Sequence, residues 1–181
     1  GGGGLLICNT HAVLPVYDEH GNPVIDEKTG EVKTFVSAGN WNNNRIRNNV
    51  FVCDGKTGTN AALLVMSSDC KNIICENNIV VISPDMIGQQ LINSADYGKC
   101  GTQENLVCRN NIFYAPAQQY TSIQLDCCKS YTFENNLYYN FPDSFFAEWT
   151  GIADEKAIRN VNPQITVAQD RTGYEKLALF K

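Results

Sequence analysis

The segment NIICENNIVV (residues 72–81) decides the fold, because close copies of it recur along the chain. Three other segments align with it without gaps: NNRIRNNVFV (43–52), NLVCRNNIFY (105–114) and SYTFENNLYY (130–139). The central asparagine pairs of successive copies are 29, 33 and 25 residues apart. A constant segment joined by connections of variable length is typical of repeat proteins, in which similar units stack on one another.

Within the copies, apolar and charged residues fall into separate columns. One apolar column contains Ile46, Cys75, Cys108 and Phe133. The column one residue later contains Arg47, Glu76, Arg109 and Glu134. Because side chains alternate between the two faces of a strand, we expect the first column to face a core and the second to face solvent. Parallel stacking at ~4.8 Å would then make opposite charges neighbours at every step.

The asparagine pairs interrupt this alternation and indicate a bend between two strands. They begin at Asn48, Asn77, Asn110 and Asn135. Asparagine tolerates the left-handed backbone that a bend requires, and an inward amide can bond both free backbone groups and its copy in the next unit. The column of Asn43, Asn72, Asn105 and Ser130 predicts a second, weaker ladder at the start of the strand.

A further strand-like run precedes each copy, at residues 34–36, 63–66, 90–92 and 122–125. We assign residues 5–7 to an earlier unit. Helical periodicity is nearly absent, so each unit reads as strand, corner, strand, asparagine bend and strand. The sequence predicts an all-β fold built from parallel strands.

The units ALLVMSSDCKNIICENNIVV (62–81) and SIQLDCCKSYTFENNLYYN (122–140) resemble the repeat of pectin-lyase-like proteins. The resemblance covers roughly residues 34–140 and implies a single-stranded right-handed parallel β-helix, a solenoid with hairpin and loop insertions. We treat residues 1–181 as one such domain and as a fragment of a longer chain. Residues 14–33 read as a hairpin insertion, either a solvated lobe or a cleft wall, and residues 141–181 as a closing segment.

Composition restricts the possible functions. The chain has 14 Lys and Arg against 19 Asp and Glu, a net charge of −5. That balance argues against non-specific nucleic-acid binding, which needs many phosphate contacts. No apolar run reaches the ~18 residues of a membrane-spanning helix, so we predict no membrane span.

Eight cysteines would permit a disulfide framework. The inward column accounts for Cys75 and Cys108 as small buried side chains. We therefore predict free thiols, and the cysteine spacings do not fit a zinc site.

The corner after the upstream strand is the most polar recurring place, with Asp69 and Lys71, then Asp96, then Asp126 and Lys129. Aligning Cys70-Lys71 with Cys128-Lys129 leaves Asp69 opposite Cys127 and not opposite Asp126, so the register of these acids is imperfect. Carboxylates one or two units apart lie near the separations used by retaining and inverting glycosidases. Clustered acids can also supply a general acid or bind Ca²⁺. The alternative is a set of solvated surface charges.

The resemblance implies a carbohydrate-active protein that binds a polysaccharide or oligosaccharide in a groove along the solenoid. As a glycoside hydrolase it would pair Asp69 with Asp96 or Asp126. As a polysaccharide lyase it would use Lys71 or Lys129 as the base. Lys129 and His11 are substrate-binding candidates. The alternative is a non-enzymatic adhesin, surface protein or tailspike-like stalk. Either function predicts a secreted or cell-surface bacterial protein, although no targeting signal is visible.

Overall fold

The computed structural model describes residues 5–7, 12–37, 41–53, 63–66, 70–82, 90–94, 103–117, 122–147 and 154–165. These residues form an all-β structure with one short helix, and their elements are, in chain order, β1 (Leu5–Ile7), β2 (Ala12–Pro15), β3 (Thr34–Ser37), β4 (Trp41–Asn42), β5 (Arg45–Arg47), β6 (Val50–Cys53), β7 (Leu64–Met66), β8 (Cys70–Glu76), β9 (Ile79–Ile82), β10 (Gln90–Ser94), β11 (Gln103–Arg109), β12 (Ile112–Tyr114), β13 (Ser122–Gln124), β14 (Tyr131–Glu134), β15 (Leu137–Tyr139), α1 (Asp143–Ala147) and β16 (Ile158–Arg159).

Three parallel sheets contain all of these strands except β2 and β3. The first sheet has the order β1-β7-β10-β13, and the third has the order β16-β15-β12-β9-β6. In the second, β14, β11 and β8 lie side by side, and β4 and β5 both pair with β8. Each repeat unit therefore contributes to every sheet: unit 1 is β1, β4, β5 and β6, and units 2, 3 and 4 are β7–β9, β10–β12 and β13–β15.

The register of the second sheet confirms the sequence columns. Ile46 pairs with Cys75, Cys75 with Cys108, and Cys108 with Phe133, all within parallel ladders. All four side chains are buried in one hydrophobic core. The second sheet thus aligns its strands in the gapless register read from the sequence.

The two asparagines of each pair have different structural roles. The first residue has a left-handed backbone, with φ between 54° and 57° at Asn48, Asn77, Asn110 and Asn135. The second residue carries the inward ladder, and Asn78, Asn111 and Asn136 are buried. The predicted second ladder also forms: Asn72 donates to Asn43 over 3.0 Å, Asn105 donates to Asn72 over 2.6 Å, and the Asn105 N–H donates to Ser130.

Unit 1 differs from the expected arrangement. The prediction that residues 34–36 begin this unit is wrong, because β3 pairs antiparallel with β2 and leaves the parallel sheets. β1 takes that place and pairs with β7, so residues 5–7 belong to unit 1 and not to an earlier unit. The antiparallel pairing extends the predicted hairpin of residues 14–33 to residues 12–37, with two tight turns at its tip.

The opposite end of the stack is closed by aromatic side chains and one carboxylate. Phe141 precedes helix α1, and Phe145 lies within it; both are buried against Tyr138 at ring-centroid distances of 5.6 and 5.8 Å. Asp154 accepts hydrogen bonds from the Asn136 N–H and Nδ2 over 3.1 and 2.8 Å. It also accepts from the Asn135 N–H over 2.8 Å, so a carboxylate ends the amide ladder.

As the sequence predicts, the described cysteines are not joined in disulfides: Cys70, Cys75, Cys108, Cys127 and Cys128. Cys8 and Cys100, and the side chain of Cys53, lie outside the described part of the chain. A hydrogen bond with Cys75, followed by burial, raises the pKa of the Cys108 thiol, so this side chain stays neutral within the core.

Candidate functional site

The structure places three of the six predicted site residues. Lys71 lies in β8, and Asp126 and Lys129 lie on the turn between β13 and β14, where both are exposed. Asp69, Asp96 and His11 lie outside the described residues. The predicted pairing of Asp69 with Asp96 or Asp126 therefore stays a prediction.

The corner that holds Lys71 and Lys129 also contains Glu104, which the sequence alignment did not place there. Gln103 pairs with Cys70 on one side and with Cys128 on the other. Glu104 therefore lies between Lys71 and Lys129, which are two strand spacings apart, or roughly 10 Å. The Lys71 Nζ contacts the Glu104 carboxylate at 3.0 Å, and both side chains are about one-third exposed. Lys71 is thus already paired with a carboxylate.

A cluster of amides lies beside Asp126 on the outer face of the first sheet. Ile92 pairs with Ile123 in the core; the next pair is Asn93 with Gln124, which strand alternation assigns to the opposite face, although Asn93 is buried. The Gln90 Nε2 donates to the Gln124 Oε1 over 2.8 Å, and the Gln124 Nε2 donates to the Asp126 carboxylate over 2.9 Å. These four polar side chains, Gln90, Asn93, Gln124 and Asp126, form what we call the amide cluster.

Asn93 is the buried member of the amide cluster. Its Nδ2 donates to the Oε1 atoms of both Gln90 and Gln124, the latter over 3.3 Å. Its Oδ1 accepts no hydrogen bond from the part of the chain that the structure describes, although the residue is only 6% exposed. An unpaired buried acceptor costs about 1–3 kcal/mol, so it is an unusual feature beside a surface carboxylate.

A second polar site, the charge groove, has a volume of about 340 Å³ and lies where the second sheet bends into the third. It is lined by Glu76, Arg109, Asn110, Glu134, Asn135 and Lys156. The Arg109 Nη2 and Nε contact one oxygen of Glu76 at 2.7 and 2.9 Å. The alternating charge column predicted from the sequence therefore forms between these two residues.

Glu76 is held ionised by its neighbours. The hydrogen bonds from Arg109 lower the pKa of this carboxyl, and the charges of Arg45, Arg109 and Arg47 act in the same direction against the cost of desolvation. The Arg45 Nε lies 3.3 Å from the second carboxylate oxygen. A general acid needs a raised pKa, so Glu76 is not suited to acid catalysis. It is suited to a structural role, in which it neutralises Arg45 and Arg109.

Sequence reasoning missed Glu104, Gln90 and Gln124. Glu104 could have been found by extending the gapless alignment two residues upstream, because CKNIICENN (70–78) and QENLVCRNN (103–111) then lie in register. The amide cluster has no such signal, because a β-bulge between Gln90 and Ile92 shifts the register that joins its members.

The described residues contain no group of three His, Cys, Asp or Glu side chains that could hold a metal ion. Since Asp69 and Asp96 lie outside them, Ca²⁺ binding stays a prediction. Within the same residues, no helix has the length and apolar character needed to cross a bilayer. No protein-family model, curated protein or solved structure matches this chain.

Proposed function

We propose that the chain is a right-handed parallel β-helix of the pectin-lyase-like class, and that each repeat unit is one coil. Three sheets of parallel strands, with one contribution per unit to each, support this architecture. Left-handed asparagines and an inward amide ladder at one bend support it further. The hand follows from the strong preference of parallel crossover connections for right-handedness.

We propose that this β-helix binds polysaccharide along the outer face of the first sheet. The observation that carries the proposal is the amide cluster, in which Gln124 joins the buried Asn93 to the exposed Asp126. Amides and carboxylates present donors and acceptors in fixed directions, which is the chemistry that sugar hydroxyls require. A secreted or cell-surface location in a bacterium belongs to this proposal.

Cleavage of the bound polysaccharide is the leading form of the function. Asp126 is exposed and accepts a hydrogen bond from Gln124, so its carboxylate has a fixed orientation towards solvent. In a hydrolase it would act with Asp69, and in a lyase Lys129 would remove the proton beside a uronate carboxylate.

A non-enzymatic glycan-binding β-helix is the second candidate, and the charge pairing favours it. The Glu76 carboxylate is bound by Arg109 and Arg45, and the Lys71 ammonium contacts Glu104. Groups held in ion pairs are poor acids and bases, so these residues suit a stable rod that binds sugars without cleaving them.

The test is a panel of acidic and neutral polysaccharides, incubated with the protein and read for reducing ends, unsaturated products and binding. A hydrolase releases reducing ends alone, a lyase also forms unsaturated products, and a binder shows affinity without either. We expect Asp126→Asn and Gln124→Ala to weaken binding or cleavage at least tenfold, about 1.4 kcal/mol. The control is Lys156→Gln, in the charge groove. Unchanged binding in both amide-cluster variants would exclude this site.

A further inference from the structure

Among the described residues, the upstream end of the stack is an open edge in all three parallel sheets, formed by β1, β4, β5 and β6 of unit 1. Among the described strands, β1 pairs only with β7, β4 and β5 only with β8, and β6 only with β9. Every strand of units 2 and 3 pairs on both sides. Open parallel edges offer unpaired backbone groups to another strand.

The amide ladder has a direction, and this direction defines what the open end can accept. At each step the N–H and Nδ2 of one asparagine donate to the Oδ1 of the next: Asn78 donates to Asn111, and Asn111 to Asn136, each over 3.0 Å. The same Nδ2 also donates back to a carbonyl of the preceding unit, as Asn78 does to Ile46.

Asn49 is the ladder residue of unit 1, and it lacks the contacts of a preceding unit. Its Nδ2 donates to the carbonyl of Arg47 in its own unit over 3.0 Å, where Asn78 reaches the unit before it. Its Oδ1 accepts no hydrogen bond from any described residue, whereas the Oδ1 atoms of Asn78 and Asn111 each accept two. The amide ladder therefore ends upstream at the Asn49 Oδ1, an acceptor to which no described residue donates.

The side chains around Asn49 are exposed where their counterparts in later units are covered. Trp41 is 44% exposed, although its register partner Cys70 is 1% exposed. Val50 is 46% exposed, and its partner Ile79 is half-buried. Apolar surface beside open strand edges marks an interaction surface.

We propose that the upstream end binds one further repeat unit of the same kind, stacked in parallel on unit 1. Such a unit continues an interface that the structure already forms three times between units. The ladder requires an asparagine that donates to Asn49. In the charge column, Glu76 is the neighbour of Arg47 on the downstream side. To continue the alternation, a unit on the upstream side must also place an acid beside Arg47.

A second copy of the chain does not meet these requirements. Its downstream end carries the Asp154 carboxylate, which would place an acceptor against the Asn49 Oδ1. Two upstream ends facing each other would bring the exposed Arg45 and Arg47 of both copies together. Like charges at an interface are destabilising, so the occupant is a unit with its own asparagine donor and its own acid.

The test adds such a unit to the full chain. Residues 63–89, which contain unit 2 and its following connection, are copied in front of Leu5 in place of the four leading glycines. We expect a higher urea midpoint and an m-value larger by roughly one-seventh, because m scales with the surface buried on folding. The amides of β6 that point away from β9 should exchange roughly tenfold more slowly.

Two matched variants separate specific stacking from a mere extension of the chain. Asn78→Asp in the copied segment alone replaces the Nδ2 donor to Asn49 by a carboxylate oxygen and leaves only the backbone N–H as a donor, so the gain should be smaller than with the unsubstituted copy. A copy of residues 90–121 in the same position brings Arg109 beside Arg47, and it should stabilise less than the copy that brings Glu76. Equal gains in all three chains would contradict the proposal.

Two other results would overturn it. One is a fused chain whose m-value and β6 exchange equal those of the parent chain. The other is a parent chain that is dimeric by light scattering and becomes monomeric with Asn49→Asp, which would make the occupant a second copy. If the fused chain proves insoluble, a peptide of residues 70–82 added to the parent provides the same exchange measurement. An unchanged β6 exchange rate with this peptide also refutes the proposal.

Discussion

Replacing Asn111 by alanine tests whether the amide ladder holds the units together. Its Oδ1 accepts from the N–H and Nδ2 of Asn78, and its Nδ2 donates to the Cys75 carbonyl over 3.0 Å. The substitution leaves the Asn78 N–H, one of the two Nδ2 hydrogens of Asn78 and the Cys75 carbonyl without this partner in a buried site; the other Nδ2 hydrogen keeps the Ile46 carbonyl. The Asn136 Oδ1 keeps one donor, because the backbone N–H of residue 111 remains.

The expected loss follows from those three groups. Each unsatisfied buried group costs about 1–3 kcal/mol, and partial relaxation gives a total of roughly 3–6 kcal/mol. Domains of this kind have total stabilities of about 5–15 kcal/mol, so the loss is large but measurable. With an m-value of about 2 kcal/mol/M, the urea midpoint should fall by roughly 1.5–3 M.

The matched control is Asn49→Ala, at the exposed end of the same ladder. Asn49 donates to the Asn78 Oδ1, but that oxygen also accepts from the Asn49 backbone N–H over 3.1 Å and stays satisfied. We expect a loss of about 1 kcal/mol or less. Circular dichroism and fluorescence must give coincident transitions for the comparison to hold. Losses of similar size at residues 49 and 111 would refute the view that buried ladder amides stabilise the stack.

Three other substitutions or modifications test neighbouring features. Glu76→Gln should lower stability at neutral pH, because Arg109 lowers the pKa of this carboxyl below its usual 4.5. That stabilisation is present above about pH 4.5 and disappears as the pH falls through the lowered value, so parent and variant should converge in acid. Asp154→Ala should cost about 1–3 kcal/mol in urea denaturation, because it removes the acceptor at the end of the ladder. In the folded protein, a maleimide should modify Cys127 readily and Cys108 only at the rate of unfolding, as read by peptide mass spectrometry.

Each of these has an internal control. Glu134→Gln changes a half-exposed carboxylate in the same column, and it should shift the acid limb of the stability curve less than Glu76→Gln does. Glu155→Ala changes the exposed neighbour of Asp154 and should stay within about 0.5 kcal/mol of the parent. Rapid modification of Cys108 under native conditions would show that the core opens locally and often.

The repeated part of the fold could be predicted because each structural feature occurs several times in the sequence. Gapless alignment gave the register that pairs Cys75 with Cys108, and alternation gave the face on which each side chain lies. The alternating charges followed from the same columns. Even so, the contact to Glu76 from unit 1 comes from Arg45 and not from Arg47, because a long side chain can reach across from the neighbouring column.

Features that occur once could not be predicted in this way. Asp154 ends the ladder from a turn, so no copy elsewhere in the sequence indicates its role. The pairing of β2 with β3 removed residues 34–36 from the repeat, although these residues have the same strand-forming composition as the other upstream runs. Composition alone does not distinguish a strand of a hairpin from a strand of the stack.

The outer faces of the three sheets differ in how many of their polar side chains are already paired with other residues. This difference indicates which face is best suited to bind a ligand. On the second sheet, the Glu76 carboxylate and the Lys71 ammonium contact opposite charges. The outward side chains of the third sheet are the apolar Ile79, Ile112 and Leu137 and the stacked Tyr114 and Tyr139, so most of this face lacks polar groups. On the first sheet, the exposed Asp126 accepts one hydrogen bond, from Gln124, among the described residues. Because a hydroxyl-rich ligand gains most where donors and acceptors are not already satisfied, the first sheet is the face on which recognition should be sought first.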